Sequence, residues 1–299
     1  VDKSGNVIVT GSAYSNAVFG SGANAHILQS SLQGDVFLAK YSNDGSLIWV
    51  QSAGGISADS GYAVATDSEG NIFLAGSTYG GTFGSGNYAQ NVLSTGITGA
   101  VQISNGFIAK YSPEGNFTWI RLADRSTTGY FDAIATDSAG NVYAGGQFQN
   151  SATFSDGIKT QTVVTNGGQD GMVVKFTNDG NLIWARNIGG SAADNINGIS
   201  VNNSGSLAVS GLISYDQPIT GGVAQMGIGA QVVTLTSNGG QDAFVGLWQT
   251  GADATGTTLS TPVPYISEIK STGIIPVFAA QNGATSYTLK IYDSTGNNV

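Results

Sequence analysis

The side chains that could do chemistry are few, and most of them recur. One histidine, His26, no cysteine and three glutamates, Glu69, Glu114 and Glu268, stand among 299 residues. A histidine-based acid, a triad or a zinc site needs partners that a lone histidine lacks. Thiol chemistry is excluded outright. His26 lies in a connection and reads as a surface residue. Two carboxylates could serve a glycosidase, yet Glu69 and Glu114 fall at turn tips where the sister repeats carry Ala, Ser or Asp. That is poor placement for a buried acid, and the chain reads as non-enzymatic.

The aspartates are the next candidates. Asp2, Asp67 and Asp137 open the turns DKSGN, DSEGN and DSAGN, and Asp35, Asp170 and Asp242 stand at strand starts. Calcium takes six to eight hard oxygens, which turns rich in Asp, Asn, Ser and carbonyls can supply. ADSG (58–61) and AADN (192–195) occupy equivalent turns, so Asp59, Asp67, Asp137 and Asp194 are the candidate calcium ligands. Against this, no DxDxDG loop is present, and an Asp at such a position bonds its own backbone two residues on. The turn-forming reading is preferred, and no cofactor is required.

Trp49, Trp119 and Trp184 end near-copies of one phrase, KYSNDGSLIW, KYSPEGNFTW and KFTNDGNLIW, 70 and 65 residues apart. Three indoles could stack on sugar rings. Packing between successive units is the stronger reading, because every unit supplies one at the same place and each buries a large area. Lys40, Lys110 and Lys175 in the same phrase could meet an anionic ligand. They more simply pair with a carboxylate or carbonyl of the neighbouring unit, or lie along apolar surface. The Gly-Gly doublets at 54–55, 80–81, 167–168, 189–190, 221–222 and 239–240 precede no helix. They lack the dipole a phosphate site uses and read as turns.

The elements that must position these residues are strands. VIVTG, FLAKYS, LIWVQS, YAVAT and IFLAG are short, β-branched or aromatic, and bounded by turn residues. No stretch supports an amphipathic helix over three turns. In the Asp turns Gly comes fourth, at Gly70 and Gly140 for instance, which suits a type I turn with a G1 bulge between antiparallel strands. NDGS, PEGN and NDGN do the same for a second hairpin. One unit is therefore four antiparallel strands in 65–70 residues, a propeller blade. VFGSG (18–22), TFGSG (82–86) and TFSDG (153–157) suggest an extra hairpin hung on each blade.

The expected fold is an all-β propeller of about four such units, near 1–66, 67–136, 137–201 and 202–249. A Thr/Gly/Ser linker follows at 250–264. Residues 265–299 are either the start of a second β-module or a degenerate blade. Since residue 1 falls inside a repeat, the units form either a four-blade ring or an arc of a larger one.

These residues resemble the bacterial SBBP repeat, a β-propeller family. Its wording, near GGxDxFVxKYxxxGNxxW and then GxxIAxDxxGNVYVxG, is matched by GQDGMVVKFTNDGNLIW (168–184) and by SAGGISADSGYAVATDSEGNIFLAG (52–76). The resemblance spans 1–249. It implies a propeller and an exported or surface-exposed protein, and assigns no activity. The fourth unit departs from the pattern, for after DAFVGLWQ (242–249) no Gly–Asn–aliphatic–Trp strand follows.

Composition points the same way. Charged residues are 10% of the chain, net charge is −9, and ten scattered Lys and Arg do not make a phosphate-binding surface. Nucleic acid is excluded as a partner. No apolar run approaches the roughly 20 residues of a membrane helix. Gly, Ser, Thr and Asn richness without cysteine suggests an extracellular or bacterial cell-surface location. The expected role is structural, adhesive or in assembly, with other protein chains or copies of itself as partners. The alternative is a module for surface glycans or another ligand, with structural calcium.

Overall fold

A computed structural model describes residues 1–93, 104–124, 128–203, 205–214, 223–226, 233–236, 241–248, 265–270 and 273–278. Four successive antiparallel blades are visible. Blade I holds β1 (Val7–Ala13), the hairpin β2 (Asn16–Phe19) and β3 (His26–Gln29), then β4 (Asp35–Tyr41) and β5 (Leu47–Ala53). Blade II holds β6 (Ser60–Thr66), β7 (Ile72–Thr78), the hairpin β8 (Gly80–Phe83) and β9 (Gln90–Leu93), then β10 (Asn105–Tyr111) and β11 (Phe117–Ala123). Blade III is β12 (Gly129–Thr136), β13 (Val142–Ser155), β14 (Thr160–Phe176) and β15 (Leu182–Gly190). Blade IV is β16 (Asn195–Val201), β17 (Leu207–Ser214), the hairpin β18 (Val223–Met226) and β19 (Val233–Thr236), then β20 (Gln241–Trp248), β21 (Tyr265–Lys270) and β22 (Gly273–Phe278).

Within blade II the strand order is β6-β7-β10-β11, and blade III repeats it as β12-β13-β14-β15. The inner strands β6, β12 and β16 pack on one another, and the Trp strands β5, β11 and β15 lie outermost. Sheets thus run from about residue 60 to 123 and 129 to 190. Boundaries drawn at 66/67, 136/137 and 201/202 cut through the Asp-turn hairpin instead of falling between blades. The turn phrase is the most regular part of the repeat, which is why it attracts a boundary, but its two arms pair with each other.

The extra hairpin is present in every blade. In blade III it is no separate element. β13 and β14 run on past the blade, pairing from Ser151↔Val164 to Ser155↔Thr160. In the fourth blade β21 pairs with β20 through Ala243↔Ile269, the place an outer strand takes. Residues 265–270 and 273–278 therefore extend the fourth sheet. Residues 279–299 and the whole of the 250–264 linker reading lie outside the described residues.

Side-chain alternation builds the core. A strand sends successive residues to opposite faces, and blades II and III are covered on both. Ile72 and Leu74 of β7 join Val36, Leu38 and Phe107 in the seam between blades I and II. Phe73 and Ala75 of the same strand join Phe131, Phe148 and Phe176 in the seam between II and III. A third cluster, with Tyr143, Ile196, Val209 and Phe244, fills the seam between III and IV. Among the described residues there is no single central core. Each seam is its own core, as stacked repeats require.

Candidate functional site

The Asp turns form as their residues dictate. Gly70 and Gly140 have φ of 85° and 76°, a region open to Gly at no steric cost. Gly70 N–H donates to the Asp67 carbonyl at 3.1 Å. Asp67 Oδ1 accepts the N–H groups of Glu69 and Asn71, both at 2.9 Å, and Oδ2 accepts Asn71 Nδ2 at 2.7 Å. Asp137 does the same with Ala139 and Asn141, and adds Tyr143 Oη at 3.1 Å. Their oxygens are occupied by the turn, so these two of the four calcium candidates are turn formers.

The lysines and tryptophans share one task. Lys40 Nζ and Trp49 Nε1 both donate to the Pro113 carbonyl of the next blade at 3.2 Å. One blade on, Lys110 Nζ and Trp119 Nε1 donate to the Asn178 carbonyl at 3.2 and 3.0 Å. Trp119 and Trp184 are 7% and 8% exposed, so neither offers a face to a sugar. Trp119 packs between Phe73 of its own blade and Phe176 of the next. Lys40 also pairs with Asp2 at 3.0 Å and Lys175 with Asp137 at 3.5 Å. For Asp2, burial alone would raise the pKa. Hydrogen bonds from Asn6, Lys40 and Ser4 outweigh it and hold the carboxyl well below the usual range.

Two arginines that the sequence reading passed over lie on these indoles, and one of them reaches across the seam. Arg121 lies 5.5 Å over the Trp119 ring and donates from Nε to the Gly180 carbonyl of the next blade at 2.8 Å. Arg186 lies 5.7 Å over Trp184. Burial lowers the pKa of both. The available signal was the spacing, Trp then Arg two residues on, which puts both on one side of a strand.

The opposite face is fastened by the hairpins. Thr82 of β8 exchanges hydrogen bonds with Gly54 of blade I, at 2.7 and 3.1 Å, and Thr153 does so with Asp124 of blade II, at 2.7 and 2.9 Å. In blade IV β18 pairs with the end of β15 through Gly189↔Gln225 and Gly190↔Ala224. Each hairpin clasps the blade before it. In blade I the equivalent residue is Val18 of β2, which pairs with Ile27 of β3. Its other edge has no strand laid against it among the described residues, and Val18 and Ile27 are 62% and 60% exposed.

The remaining calcium candidates, Asp59 and Asp194, sit beneath these clasps. Asp59 accepts Tyr79 N–H on Oδ1 at 2.8 Å and Gly55 N–H on Oδ2 at 2.9 Å. Asp194 accepts Ser214 N–H at 2.9 Å and Gly190 N–H at 2.7 Å. Burial pushes the Asp59 carboxyl up, with Asp35 nearby adding to the effect. Burial likewise pushes Asp170 up to about 6, with Asp194 nearby adding to it. Among the described residues no group of three His, Cys, Asp or Glu gathers as a metal cluster.

A groove of about 490 Å³ opens where β9, β11 and the β13–β14 hairpin meet, lined by Asn91, Val92, Arg121, Asp124 and Asp156 among others. Asp156 would be raised by burial. The N–H groups of Lys159, Leu182 and Ile158 and the Arg121 charge lower it instead. His26 is exposed, and Glu69 and Glu114 stand exposed at their turn tips. No helix among the described residues is long and apolar enough to cross a membrane.

Comparison with known proteins agrees with this architecture. Residues 48–84 match the SBBP β-propeller repeat family, which bears out the resemblance read from the sequence. The stretch covers β5, the connection, β6, β7 and β8. An uncharacterized WD repeat-containing protein of Acanthamoeba polyphaga mimivirus is 25% identical over 177 residues, 54% of this chain and 12% of that protein. The regulatory protein FlaEY of Caulobacter vibrioides is 27% identical over 176 residues, 58% of this chain and 17% of that protein. The chain thus spans less than a fifth of either relative.

Proposed function

We propose that this β-propeller repeat protein is a non-enzymatic, extracellular or cell-surface scaffold that joins other chains, copies of itself included, in adhesion or assembly. The observation that supports the reading is the hairpin clasp. The hairpins of blades II to IV each present a strand edge that grips the end of the preceding blade through main-chain pairing, a contact that another chain offering a strand can make, and Val18 and Ile27 of the first hairpin are 62% and 60% exposed. Unpaired strand edges recruit strands, and a contact between unlike surfaces repeats head to tail. Low charge and the lack of cysteine support an exported setting.

Sedimentation velocity over a range of concentrations tests this. Association is expected, and Val18→Pro, which removes the edge N–H, weakens it. A monodisperse monomer at every concentration overturns the assembly role.

The groove beside Arg121 favours a second reading, a glycan- or ligand-binding module. Its polar lining of amide, guanidinium and carboxylate groups suits sugar hydroxyls. A glycan array run with and without EDTA separates the two readings, since no binding in either condition removes the second.

A further inference from the structure

Lys40 and Lys175 each pair with the turn aspartate of their own blade, Asp2 and Asp137. Lys110, in the blade between them, is buried to 8% exposure. Yet it makes no ion pair with Asp67 or any other carboxylate among the described residues. A side chain of blade III stands between the two. Asn178 Oδ1 accepts from Lys110 Nζ, and Asn178 Nδ2 donates to Asp67 Oδ2 at 2.7 Å, 111 positions away in the chain. A lysine only donates and an ionised carboxylate only accepts. The amide therefore has one orientation, with its oxygen on the amine and its nitrogen on the carboxylate.

The amide is held from other sides too. Nδ2 also donates to the Gly140 carbonyl at 3.2 Å, and a Cβ on Gly140 would collide with it. The Asn178 carbonyl accepts Lys110 Nζ at 3.2 Å and Trp119 Nε1 at 3.0 Å, which fixes the main chain next to the reacting side chain. Lys110 Nζ lies 5.7 Å from the centre of the buried Phe73 ring, and Asp67 is 7% exposed.

The other two seams are internal controls. Lys40 meets Pro113 where Lys110 meets Asn178, and proline carries no side-chain amide. Lys175 bonds its aspartate directly. Among the described residues only the seam between blades II and III lines up amine, carboxamide and carboxylate.

Those three groups, in that order, are the parts of an amide exchange. We propose that Lys110 and Asn178 react to form an isopeptide bond, with Asp67 carrying the proton, and so tie blade II covalently to blade III. Nζ attacks Asn178 Cγ, the Nζ–Cγ bond forms and the Cγ–Nδ2 bond breaks. An ammonium group and a primary amide go in. A secondary amide and an ammonium ion come out, so atoms and charge balance with no oxidant, cofactor or second substrate. In the tetrahedral intermediate both nitrogens sit on one carbon. Asp67, already on Nδ2, then reaches Nζ as well, takes its proton and passes it to the departing nitrogen. A carboxamide is a poor electrophile. Confinement offsets this, since effective molarities of oriented groups reach about 10⁵–10⁸ M, and a lysine amine held away from water is the stronger nucleophile. The bond spans 68 positions. It gives a chain without cysteine the kind of cross-link that a disulfide supplies elsewhere.

Intact-mass measurement of the purified full chain, fresh and after prolonged incubation, tests this. The wild type is expected to become lighter than its sequence by the mass of one ammonia. Trypsin should leave Lys110 uncut, with the peptide that holds Asn178 joined to it. Lys110→Arg keeps the charge and the donor but abolishes the loss. Asn178→Pro, which copies the residue of blade II at this place, abolishes it too and serves should the arginine variant misfold. Asp67→Asn slows the reaction. A folded wild type that keeps its full mass overturns the proposal and leaves the three groups as a hydrogen-bonded bridge. So does a loss of ammonia that persists in Lys110→Arg, which is ring closure at an asparagine. Cross-linking at an undiminished rate in Asp67→Asn overturns the role given to Asp67.

Discussion

Gly45, Gly115 and Gly180 occupy the same position of the same turn, with φ of 85°, 86° and 80°. What differs is the neighbour. A Cβ on Gly45 would meet nothing within 4 Å, whereas one on Gly115 or Gly180 would lie 3.0 Å from Cδ2 of Trp49 or Trp119. Alanine at Gly45 therefore carries only the left-handed backbone penalty, about 1–2 kcal/mol. Alanine at Gly180 carries that penalty and must also displace an indole that is 7% exposed, which costs about 1–3 kcal/mol more. Trp49 is only partly buried and yields more easily, so Gly115→Ala falls between the two. Urea unfolding followed by tryptophan fluorescence measures the series. In a Trp119→Leu background the excess at Gly180 should disappear, because the two changes share one contact. Three alanine variants of equal stability would refute the idea that the indole rests on the next blade's turn. So would an excess at Gly180 that survives removal of Trp119.

Asp137→Ala leaves Lys175, Tyr143 and Asn141 without their shared acceptor and should cost about 3 kcal/mol, read as a shift in urea midpoint. Asp44→Ala, in an exposed turn of similar sequence, should change little. Asp132, at the bulge in β12, is pushed up to about 6 by burial. Its folded pKa lies above its unfolded value, so the protonated form favours the fold. Its contribution is fully present below about pH 4 and is lost as pH rises through 6. Asp132→Asn should flatten that fall in the urea midpoint between pH 4 and 6. An unchanged slope would show that Asp132 does not titrate there.

The blades were legible because their signals are local. An Asp at the head of a turn, a Gly fourth and alternating apolar residues fix a hairpin within a dozen positions, and the repeat multiplies that evidence. The fastening between blades was only half legible. Trp119 announced itself by recurrence, but its acceptor is the backbone carbonyl of Asn178, and a carbonyl has no sequence signature. The hairpin clasps were hidden for the same reason, since Thr82 and Gly54 join through main chain alone. The four aspartates read as calcium candidates are alike in sequence but not in the fold. Asp59 and Asp67 look alike in sequence, each an Asp within a polar turn. Asp67 satisfies itself within five residues, whereas Asp59 meets Asp35 from 24 positions away, and only the sheet brings them together.

The two fastenings run in opposite directions, and this bears on how the molecule could grow. On the turn face, Lys, Trp and Arg reach forward, from Lys40 and Trp49 to Pro113 and from Trp119 and Arg121 to Asn178 and Gly180. On the hairpin face, Thr82 and Thr153 reach back to Gly54 and Asp124. The first two seams are therefore held at both ends, by unlike groups. A partner that adds to such an array must bring either an outer strand for the β2 edge or a glycine turn for a forward-reaching tryptophan. A second copy of the repeat carries both, so self-association through this edge is expected to be head to tail. A symmetric dimer, with Val18 facing Val18 across a two-fold axis, would require the edge to pair with itself, which none of the three seams does. Cross-linking from position 18 distinguishes these. A link to the end of β5 or β11 in another copy fits the seam geometry, and an 18-to-18 link contradicts it.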